Sequence, residues 1–233
     1  MDAIILAGGL GTRLRHAVDD LPKPMAPVCG RPFLDYLLDY ALRWQVERAI
    51  LATGYLHQTI EAHYGNSYKN LAIAYSVERE PLGTGGCIQL ACRQARSEHV
   101  FILNGDTFFD VDLGKMMQGH LATDADMTIA LKPMHDVARY GVVRFEGSRI
   151  TRFEEKKKVD FGHINGGVYV ARKTLFEGLS LPDKFSLEED VLRKFVQTLN
   201  LQCFLSDTYF IDIGIPEDYY RAQDELKVYA RES

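Results

Sequence analysis

The sequence lacks several patterns that would place it in well-defined classes of protein. Its four cysteines form no C-x-x-C pair and no zinc spacing, so reduced thiols are expected rather than a disulfide framework or a zinc domain. No apolar run approaches the roughly 20 residues of a membrane span, and residues 3–7 are too few for a signal peptide. A net charge of −5 leaves no basic excess for general nucleic-acid binding. These absences predict a cytoplasmic protein with no membrane or nucleic-acid partner.

The chain also lacks a proline- or serine-rich linker, an internal repeat and a low-complexity tract. Its 233 residues fit one domain or at most two, and we expect one domain over residues 1–233. Short apolar runs rich in Ile, Val and Leu predict buried strands, and helix-like segments alternate with them, as in a layered α/β fold. The predicted strands are 3–7, 49–53, 72–77, 100–104 and 127–131.

Helices are predicted over 31–44 and 186–199, and from Pro216 onward. Ser186 and Glu189 form a candidate capping box for the second helix. Pro216 suits the first position of the third helix, whose first turn carries two carboxylates. Residues 140–156 differ, because two short strands flank Glu146-Gly147-Ser148. We expect this hairpin to lie beside the main sheet.

A glycine-rich stretch, Gly8-Gly9-Leu10-Gly11-Thr12, directly follows the first predicted strand. Its backbone amides can approach a phosphate closely. Arg13 can bridge phosphate oxygens, and Lys23 is a point charge held between two prolines. The dinucleotide pattern G-x-G-x-x-G fails at Leu14, and the Walker pattern is absent. The residues leave two readings open: a nucleoside triphosphate grip, or a tight turn followed by a surface lysine.

The combination of G-G-x-G-T-R-L with a following P-K-P-M resembles the sugar-1-phosphate nucleotidylyltransferases. Later blocks occur in the family's order, and the resemblance covers nearly the whole chain: EPLGTGG, LNGDTFF, YGVV, FEEK, INGGVY and IDIGIPEDY. The likeness is greatest to the D-glycero-α-D-manno-heptose 1-phosphate guanylyltransferases. It implies a three-layer α/β/α Rossmann-like nucleotidyltransferase fold, with a mixed central sheet and the hairpin as a small β sugar-binding lobe. The C-terminal repeat domain of some relatives is not expected.

The resemblance implies transfer of a nucleoside monophosphate from GTP, or another triphosphate, to a sugar 1-phosphate with release of pyrophosphate. The attacking phosphate has a second pKa of about 6, so it is mostly dianionic at pH 7 and needs no general base. Positioning and preorganised positive charge should dominate catalysis. We therefore expect Arg13 and Mg²⁺ on the leaving phosphates, and Lys23 on the α-phosphate or the incoming phosphate. A homo-oligomer is compatible with the sequence.

Two aspartates are candidate metal ligands. Asp106 follows a predicted buried strand, and Asp212 stands between Ile211 and Ile213. An unpaired carboxylate is costly to bury, so each either caps a loop or binds a cation. The resemblance implies that both hold Mg²⁺, a metal that takes carboxylates together with substrate phosphates. Asp110-Val111-Asp112 is an alternative, since D-x-D is a metal signature of glycosyltransferases, although Asp112 also suits a helix cap.

Further residues are expected to hold the nucleotide. Glu78 stands where relatives that use pyrimidines tend to have glutamine, and a carboxylate can accept both N–H groups on the edge of guanine. GTP is therefore preferred, with exposed strand-end charges as the alternative for Glu78 and Glu80. Gly83 and Gly85 are expected to let a flat base approach the backbone. The nucleotide-binding set is Leu6, Ala7, Gly8, Gly9, Gly11, Thr12, Glu78, Pro81, Gly83 and Gly85.

The sugar phosphate is assigned by resemblance to four positions. The F-x-E-K block places Glu155 on sugar hydroxyls and Lys156 on the phosphate, and Gly141 and Asn165 match other sugar-site positions. The residues do not separate a heptose from mannose, glucose or N-acetylhexosamine, nor exclude UTP, CTP or dTTP. A non-catalytic nucleotide-sugar sensor stays open as an alternative of another class.

Overall fold

The computed structural model describes residues 1–9, 21–155 and 159–230. Gly11, Thr12, Arg13 and Lys156 lie outside these residues. The strands in chain order are β1 (Asp2–Leu6), β2 (Pro27–Val28), β3 (Arg31–Pro32), β4 (Arg48–Thr53), β5 (Ser67–Tyr68), β6 (Leu71–Val77), β7 (His99–Asn104), β8 (Thr107–Phe109), β9 (Met127–His135), β10 (Val143–Glu146), β11 (Arg149–Phe153), β12 (Phe161–Arg172), β13 (Leu201–Leu205) and β14 (Phe210–Asp212). The α-helices are α1 (Phe33–Arg43), α2 (His57–Tyr64), α3 (Gly83–Cys92), α4 (Leu113–Ala122), α5 (Pro216–Glu225) and α6 (Lys227–Ala230). Shorter helical turns are Lys23–Met25, Val137–Arg139 and Leu187–Leu192.

Within the described residues, ten strands form one mixed sheet in the order β10-β11-β13-β9-β12-β7-β1-β4-β6-β5. β1 pairs in parallel with β4 and β7, whereas β12 runs antiparallel between β7 and β9. β8 and β14 form a separate antiparallel pair. This arrangement confirms the mixed central sheet that the sequence resemblance implied.

Alternating residues of the central strands send their side chains into two cores on opposite faces of the sheet, as the period of a strand requires. On β1, Ala3 and Ile5 pack with the buried faces of α1 and α4. Ile4, between them, belongs to the other core with α3 and the turn Leu187–Leu192. The result is the predicted three-layer α/β/α arrangement. No helix of the described residues is long and apolar enough to cross a membrane.

One predicted element, the second helix, differs from the structure. The predicted helix 186–199 is instead a wide turn at Leu187–Leu192 followed by irregular turns. Ser186 Oγ does accept the Glu189 N–H, but Asp190, not Glu189, accepts the Ser186 N–H at 2.9 Å. The hairpin β10–β11 lies at the edge of the main sheet, as expected, and the pairing of Arg149 with Gln202 of β13 joins it to that edge.

The C-terminal ends of β1, β4, β6 and β7 meet at one edge of the sheet, where open α/β sheets bind their ligands. Leu6 at the end of β1 lies beside Asn104 at the end of β7. The N–H of Glu78, just past β6, donates to Thr53 O at the end of β4. Gly105 follows Asn104 and lies against the backbone of β1, since a Cβ there would be 2.0 Å from Leu6 O.

Gly105→Ala should therefore lower the melting temperature. The clash is with a main-chain oxygen, which no rotamer change can relieve, and overpacking of this kind costs about 1–3 kcal/mol. Calorimetry at constant pH is the measurement, with Gly119→Ala as the matched control. Gly119 lies in α4, where an added Cβ would meet no atom of the described residues within 4 Å, so alanine should raise stability by about 0.5–1 kcal/mol. Equal melting temperatures for the two variants would contradict the contact.

Candidate active site

A lysine and two aspartates converge where β7 leaves the sheet. The pairing of β8 with β14 sets Asp212 opposite Thr107, the residue after Asp106. Pro22 and Pro24 hold Lys23 at the start of a tight helical turn, and its Nζ donates to Asp106 Oδ2. The Lys23 side chain is 10% exposed, so this cation is largely withdrawn from water. Three residues far apart in sequence thus form one charged cluster.

The charges in this cluster are unbalanced. Burial raises the pKa of Asp212, the negative charge of Asp106 raises it further, and Lys23 opposes both effects. Asp212 Oδ1 accepts the Gly214 N–H at 2.7 Å, which fixes the carboxylate. Gly214 also leaves room for the cluster, because a Cβ there would lie 2.7 Å from Asp212 Oδ1 and 3.2 Å from Lys23 Nζ. Two like charges are therefore held together with one cation between them.

A hard divalent cation fits this donor set. Such a metal takes oxygen ligands, commonly one or two protein carboxylates with the remainder from substrate phosphates and water. Asp106 and Asp212 supply two carboxylates, and added positive charge would relieve their repulsion. Across residues 1–9, 21–155 and 159–230, no group of three or more His, Cys, Asp or Glu side chains is placed to hold a metal by itself.

The first of two cavities beside the cluster, the glycine-loop cavity, has a volume of about 360 Å³. Lys23 and Asp106 form its wall on the side of the cluster. Its lining is Leu6, Gly8, Gly9, Lys23, Pro24, Glu78, Pro81, Gly83, Thr84, Cys87, Asn104, Gly105 and Asp106. Most of the described residues predicted to hold the nucleotide therefore lie together.

Glu78 is held in one orientation in this cavity. Its Oε2 accepts the Leu82 N–H at 3.0 Å, and its Oε1 lies against Gly54, where a Cβ would approach to 2.7 Å. Burial raises the pKa of the neighbouring Cys87 to about 12, and the charge of Glu78 adds to the effect. The thiol is therefore neutral at physiological pH.

Two predicted nucleotide residues have other surroundings. Ala7 is fully buried, and its N–H donates to Ala52 O at 2.7 Å, so it lies behind the cavity wall. Gly85 is also outside the lining, because Phe185 occupies the space beside it: a Cβ there would lie 2.3 Å from the ring. Gly83 does line the cavity, but it too packs on Phe185, whose carbonyl oxygen would be 2.5 Å from a Cβ. Contact with Phe185 thus gives both glycines a packing role, and the approach of a flat base to Gly83 stays a prediction.

The second cavity, the hairpin cavity, has a volume of about 450 Å³ and lies on the other side of the cluster. Asn104 and Asp106 line both cavities, so the two meet at the end of β7. The lining is Asn104, Asp106, Thr107, Arg139, Tyr140, Gly141, Val142, Val143, Phe153, Glu154, Asn165, Gly167, Glu188, Arg193, Phe210, Asp212 and Ile215. Both volumes are in the range of ligand sites.

Two of the three described residues predicted to bind the sugar phosphate are neighbours of this cavity. Gly141 and Asn165 line it, but Glu154 does so instead of the predicted Glu155. Glu155 has a side chain that is 78% exposed, and it pairs with Arg193 at 2.8 Å. The difference arises because β11 ends at Phe153, so strand alternation no longer determines which glutamate faces the cavity.

A bulge in β12 directs Asn165 into the hairpin cavity. The register with β9 shifts between Asn165 and Tyr169, and Gly167 adopts a positive φ of 71°. Asn165 Nδ2 donates to Tyr169 Oη at 2.8 Å and to Glu188 Oε1 at 3.1 Å. Its Oδ1 accepts the Gly167 N–H at 3.0 Å. Both amide donors are thus engaged within the protein, which leaves Oδ1 as the group with capacity for a ligand.

Sequence reasoning missed two arginines of the hairpin cavity. Arg139, just before the YGVV block, donates to the buried carboxylate of Asp218. Arg193 lies in the predicted helix 186–199, where it would have been counted as solvent-facing. Its main-chain N–H instead donates to Glu188 O, five residues earlier, at 3.0 Å. This wide turn brings the side chains of Glu188 and Arg193 to the cavity. Wide turns of this type are frequent at functional sites.

The D-x-D pair has structural roles. Asp110 accepts from Arg43 Nη1 at 2.9 Å and from Tyr229 Oη at 3.0 Å. Asp112 Oδ1 accepts the Lys115 N–H at 2.8 Å, which confirms the predicted helix cap for α4. Neither aspartate lines the two cavities described above.

Comparison with known proteins agrees with this arrangement. The family model described as nucleotidyl transferase matches residues 2–228, and the chain belongs to that family. It is 52% identical, over 98% of this chain and 100% of the relative, to a D-glycero-alpha-D-manno-heptose 1-phosphate guanylyltransferase of Aneurinibacillus thermoaerophilus. A protein of the same name from Campylobacter jejuni is 42% identical over 94% of this chain and 97% of its own length. The crystal structure of HddC from Yersinia pseudotuberculosis complexed with GMP-PN superposes with a TM-score of 0.86 and 39% identity, covering 97% of this chain and 99% of that one. The chain is thus a nucleotidyltransferase, as the sequence predicted.

Exchanging each aspartate for asparagine should affect stability differently. A carboxyl whose pKa is raised by folding destabilises the native state at neutral pH, so Asp212→Asn should melt at the same temperature as the wild type or higher. Asp106→Asn removes the hydrogen-bonded partner of a mostly buried ammonium and should cost about 1.5–3 kcal/mol. Calorimetry of the metal-free protein at pH 7.5 compares them. A lower melting temperature for Asp212→Asn than for Asp106→Asn would contradict the charge arrangement.

Proposed function

We propose that this chain transfers GMP from GTP to D-glycero-α-D-manno-heptose 1-phosphate, giving the GDP-heptose and pyrophosphate with Mg²⁺ as cofactor. The observation that carries the proposal is the cluster of Lys23, Asp106 and Asp212 at the junction of two cavities. A reaction between two separately bound phosphates requires such a junction. The names of the relatives at 52% and 42% identity support the choice of guanine nucleotide and heptose.

In this proposal the glycine-loop cavity takes the nucleotide. Gly8 and Gly9 give the phosphates a side-chain-free approach to the wall, and Lys23 lies at the end nearest the other cavity. The sugar 1-phosphate is mostly dianionic at pH 7, so its oxygen attacks the α-phosphorus without a general base. Mg²⁺, held by Asp106 and Asp212, would neutralise phosphate charge. Arg13 is proposed to act on the leaving pyrophosphate, as the family resemblance implies.

The hairpin cavity would take the sugar phosphate. Arg139 and Arg193 bring guanidinium groups to its wall, and each can offer donors beyond those in its ion pairs with carboxylates. Glu154 and Glu188 present acceptors for sugar hydroxyls, together with Oδ1 of Asn165. Lys156 remains the residue proposed from resemblance for the phosphate. Charge of both signs around one cavity suits a ligand that is anionic at one end and hydroxylated at the other.

The first test is a substrate panel. The purified protein with Mg²⁺ is incubated with GTP, ATP, UTP, CTP or dTTP and with heptose, mannose, glucose and N-acetylhexosamine 1-phosphates. Pyrophosphate release is the readout, with product mass as a check. We expect release with GTP and the heptose phosphate. Release with another pair would overturn the specificity and keep the mechanism, whereas bound nucleotide-sugar without any turnover would favour a sensor. Asp212→Asn should reduce kcat by about 100-fold or more.

The base preference is tested by Glu78→Gln. Oε2 of Glu78 already accepts the Leu82 N–H, so a glutamine would keep its amide oxygen there and turn its NH₂ toward the opposite side. That donor would face the N–H donors of guanine. We expect kcat/KM for GTP to fall about 10–100-fold, as for the loss of a hydrogen bond to a charged group.

Glu80→Gln is the matched control for this variant. It makes the same chemical change two residues away, at an exposed side chain outside the glycine-loop cavity. Its kcat/KM for GTP should stay within about twofold of the wild type. Equal losses in the two variants would show that net charge, rather than base recognition, explains the effect.

A further inference from the structure

The turn of the glycine-loop cavity and the wide turn of the hairpin cavity are joined by main-chain hydrogen bonds. Phe185 N–H donates to Leu82 O at 2.9 Å, and Phe185 O accepts the N–H groups of Gly85 at 3.0 Å and Gly86 at 3.3 Å. Phe185 is buried, with its ring and carbonyl against Gly83 and Gly85. The two turns are therefore packed against each other.

The side chain of Thr84 adds a hydrogen bond between the two turns. Its Oγ1 accepts the N–H of Leu187 at 2.9 Å. Leu187 is the first residue of the wide turn, so its N–H is one of the donors that a helical N-terminus leaves without an internal partner. Ser186 caps the same turn. Within the described residues, its side chain accepts only the Glu189 N–H from that group of donors. Thr84 thus completes the cap from outside the segment.

The two ends of this bond belong to different cavities. Thr84 lines the glycine-loop cavity, and Glu188, directly after Leu187, lines the hairpin cavity. Glu188 in turn accepts from Asn165 Nδ2 and, through its main-chain oxygen, from the Arg193 N–H. A shift at Leu187 would therefore displace three groups of the hairpin cavity together: the Glu188 carboxylate, the Asn165 amide and the Arg193 guanidinium.

We propose that Thr84 is a positioning residue that couples the nucleotide site to the sugar-phosphate site by holding the wide turn at Leu187. The inference rests on the proposed function, which assigns the nucleotide to the glycine-loop cavity and the sugar phosphate to the hairpin cavity. A nucleotide that packs against Thr84 restricts the turn and orders Glu188 and Arg193 before the sugar phosphate binds. Because coupling between two binding sites is reciprocal, a bound sugar phosphate strengthens nucleotide binding by the same factor.

Thr84→Val and Thr84→Ser test the coupling. Valine keeps the shape of the side chain and removes the acceptor, while serine keeps the acceptor. We expect Thr84→Val to raise the KM for the sugar 1-phosphate at saturating GTP about 5–10-fold, as for a buried donor left without a partner, and to raise the KM for GTP at saturating sugar 1-phosphate by a similar factor. The Kd for GTP without the sugar 1-phosphate should stay within about twofold of the wild type. Thr84→Ser should return the sugar KM to within about twofold of the wild type. A rise in the GTP KM alone, or no change in either KM, would overturn the proposal, as would a failure of serine to rescue.

Hydrogen exchange tests the coupling without turnover. In the wild type, a saturating nucleotide without sugar phosphate should slow exchange in peptides covering 78–87 and 186–193. In Thr84→Val it should slow only the first. Equal protection of 186–193 in both proteins would overturn the inference. If GTP protects neither peptide while another triphosphate protects 78–87, the guanine assignment fails, and the same comparison is made with that triphosphate.

Discussion

The site depends on the repulsion between two carboxylates that the fold holds together. Asp106 and Asp212 come from segments about a hundred residues apart in sequence, and the pairing of two three-residue strands sets their separation. A buried carboxyl with a raised pKa costs stability, and Lys23 offsets only part of that cost. Positive charge on a bound cation would relieve the repulsion, so part of the free energy of binding such a cation would come from strain held in the fold.

Irregular backbone places the remaining side chains around this cluster. The bulge in β12 directs Asn165 into the hairpin cavity, the wide turn redirects Glu188 and Arg193, and the proline-bounded turn orients Lys23. Regular strands carry none of these groups; they provide the buried sheet edge at which the irregular segments meet. This division is general in α/β folds, where a rigid scaffold positions functional loops.

The sequence predicted the parts of the site that depend on local chemistry. Lys23 between prolines, Asp106 after a buried strand and Asp212 between isoleucines each carry their signal within a few residues. Two arginines were missed. The position of Arg139 depends on its bond to Asp218 in α5, and that of Arg193 depends on the hydrogen bond from its N–H to the carbonyl oxygen five residues earlier. A 3.6-residue period cannot predict such a turn, and strand alternation cannot distinguish Glu154 from Glu155 beyond the end of β11. The sequence also carries no sign that Gly85 makes room for Phe185, because that contact spans about one hundred residues.

The position of Phe185 gives the L-G-T-G-G motif a second, structural role. Its glycines are required by contact with a residue about one hundred positions later, and that residue precedes the turn that lines the other cavity. A motif first interpreted as a base-binding surface therefore also supports the turn that lines the hairpin cavity. If the cavities take the substrates as proposed, substrate preference on the sugar side would depend in part on residues of the glycine-loop cavity, because the two turns are in direct contact.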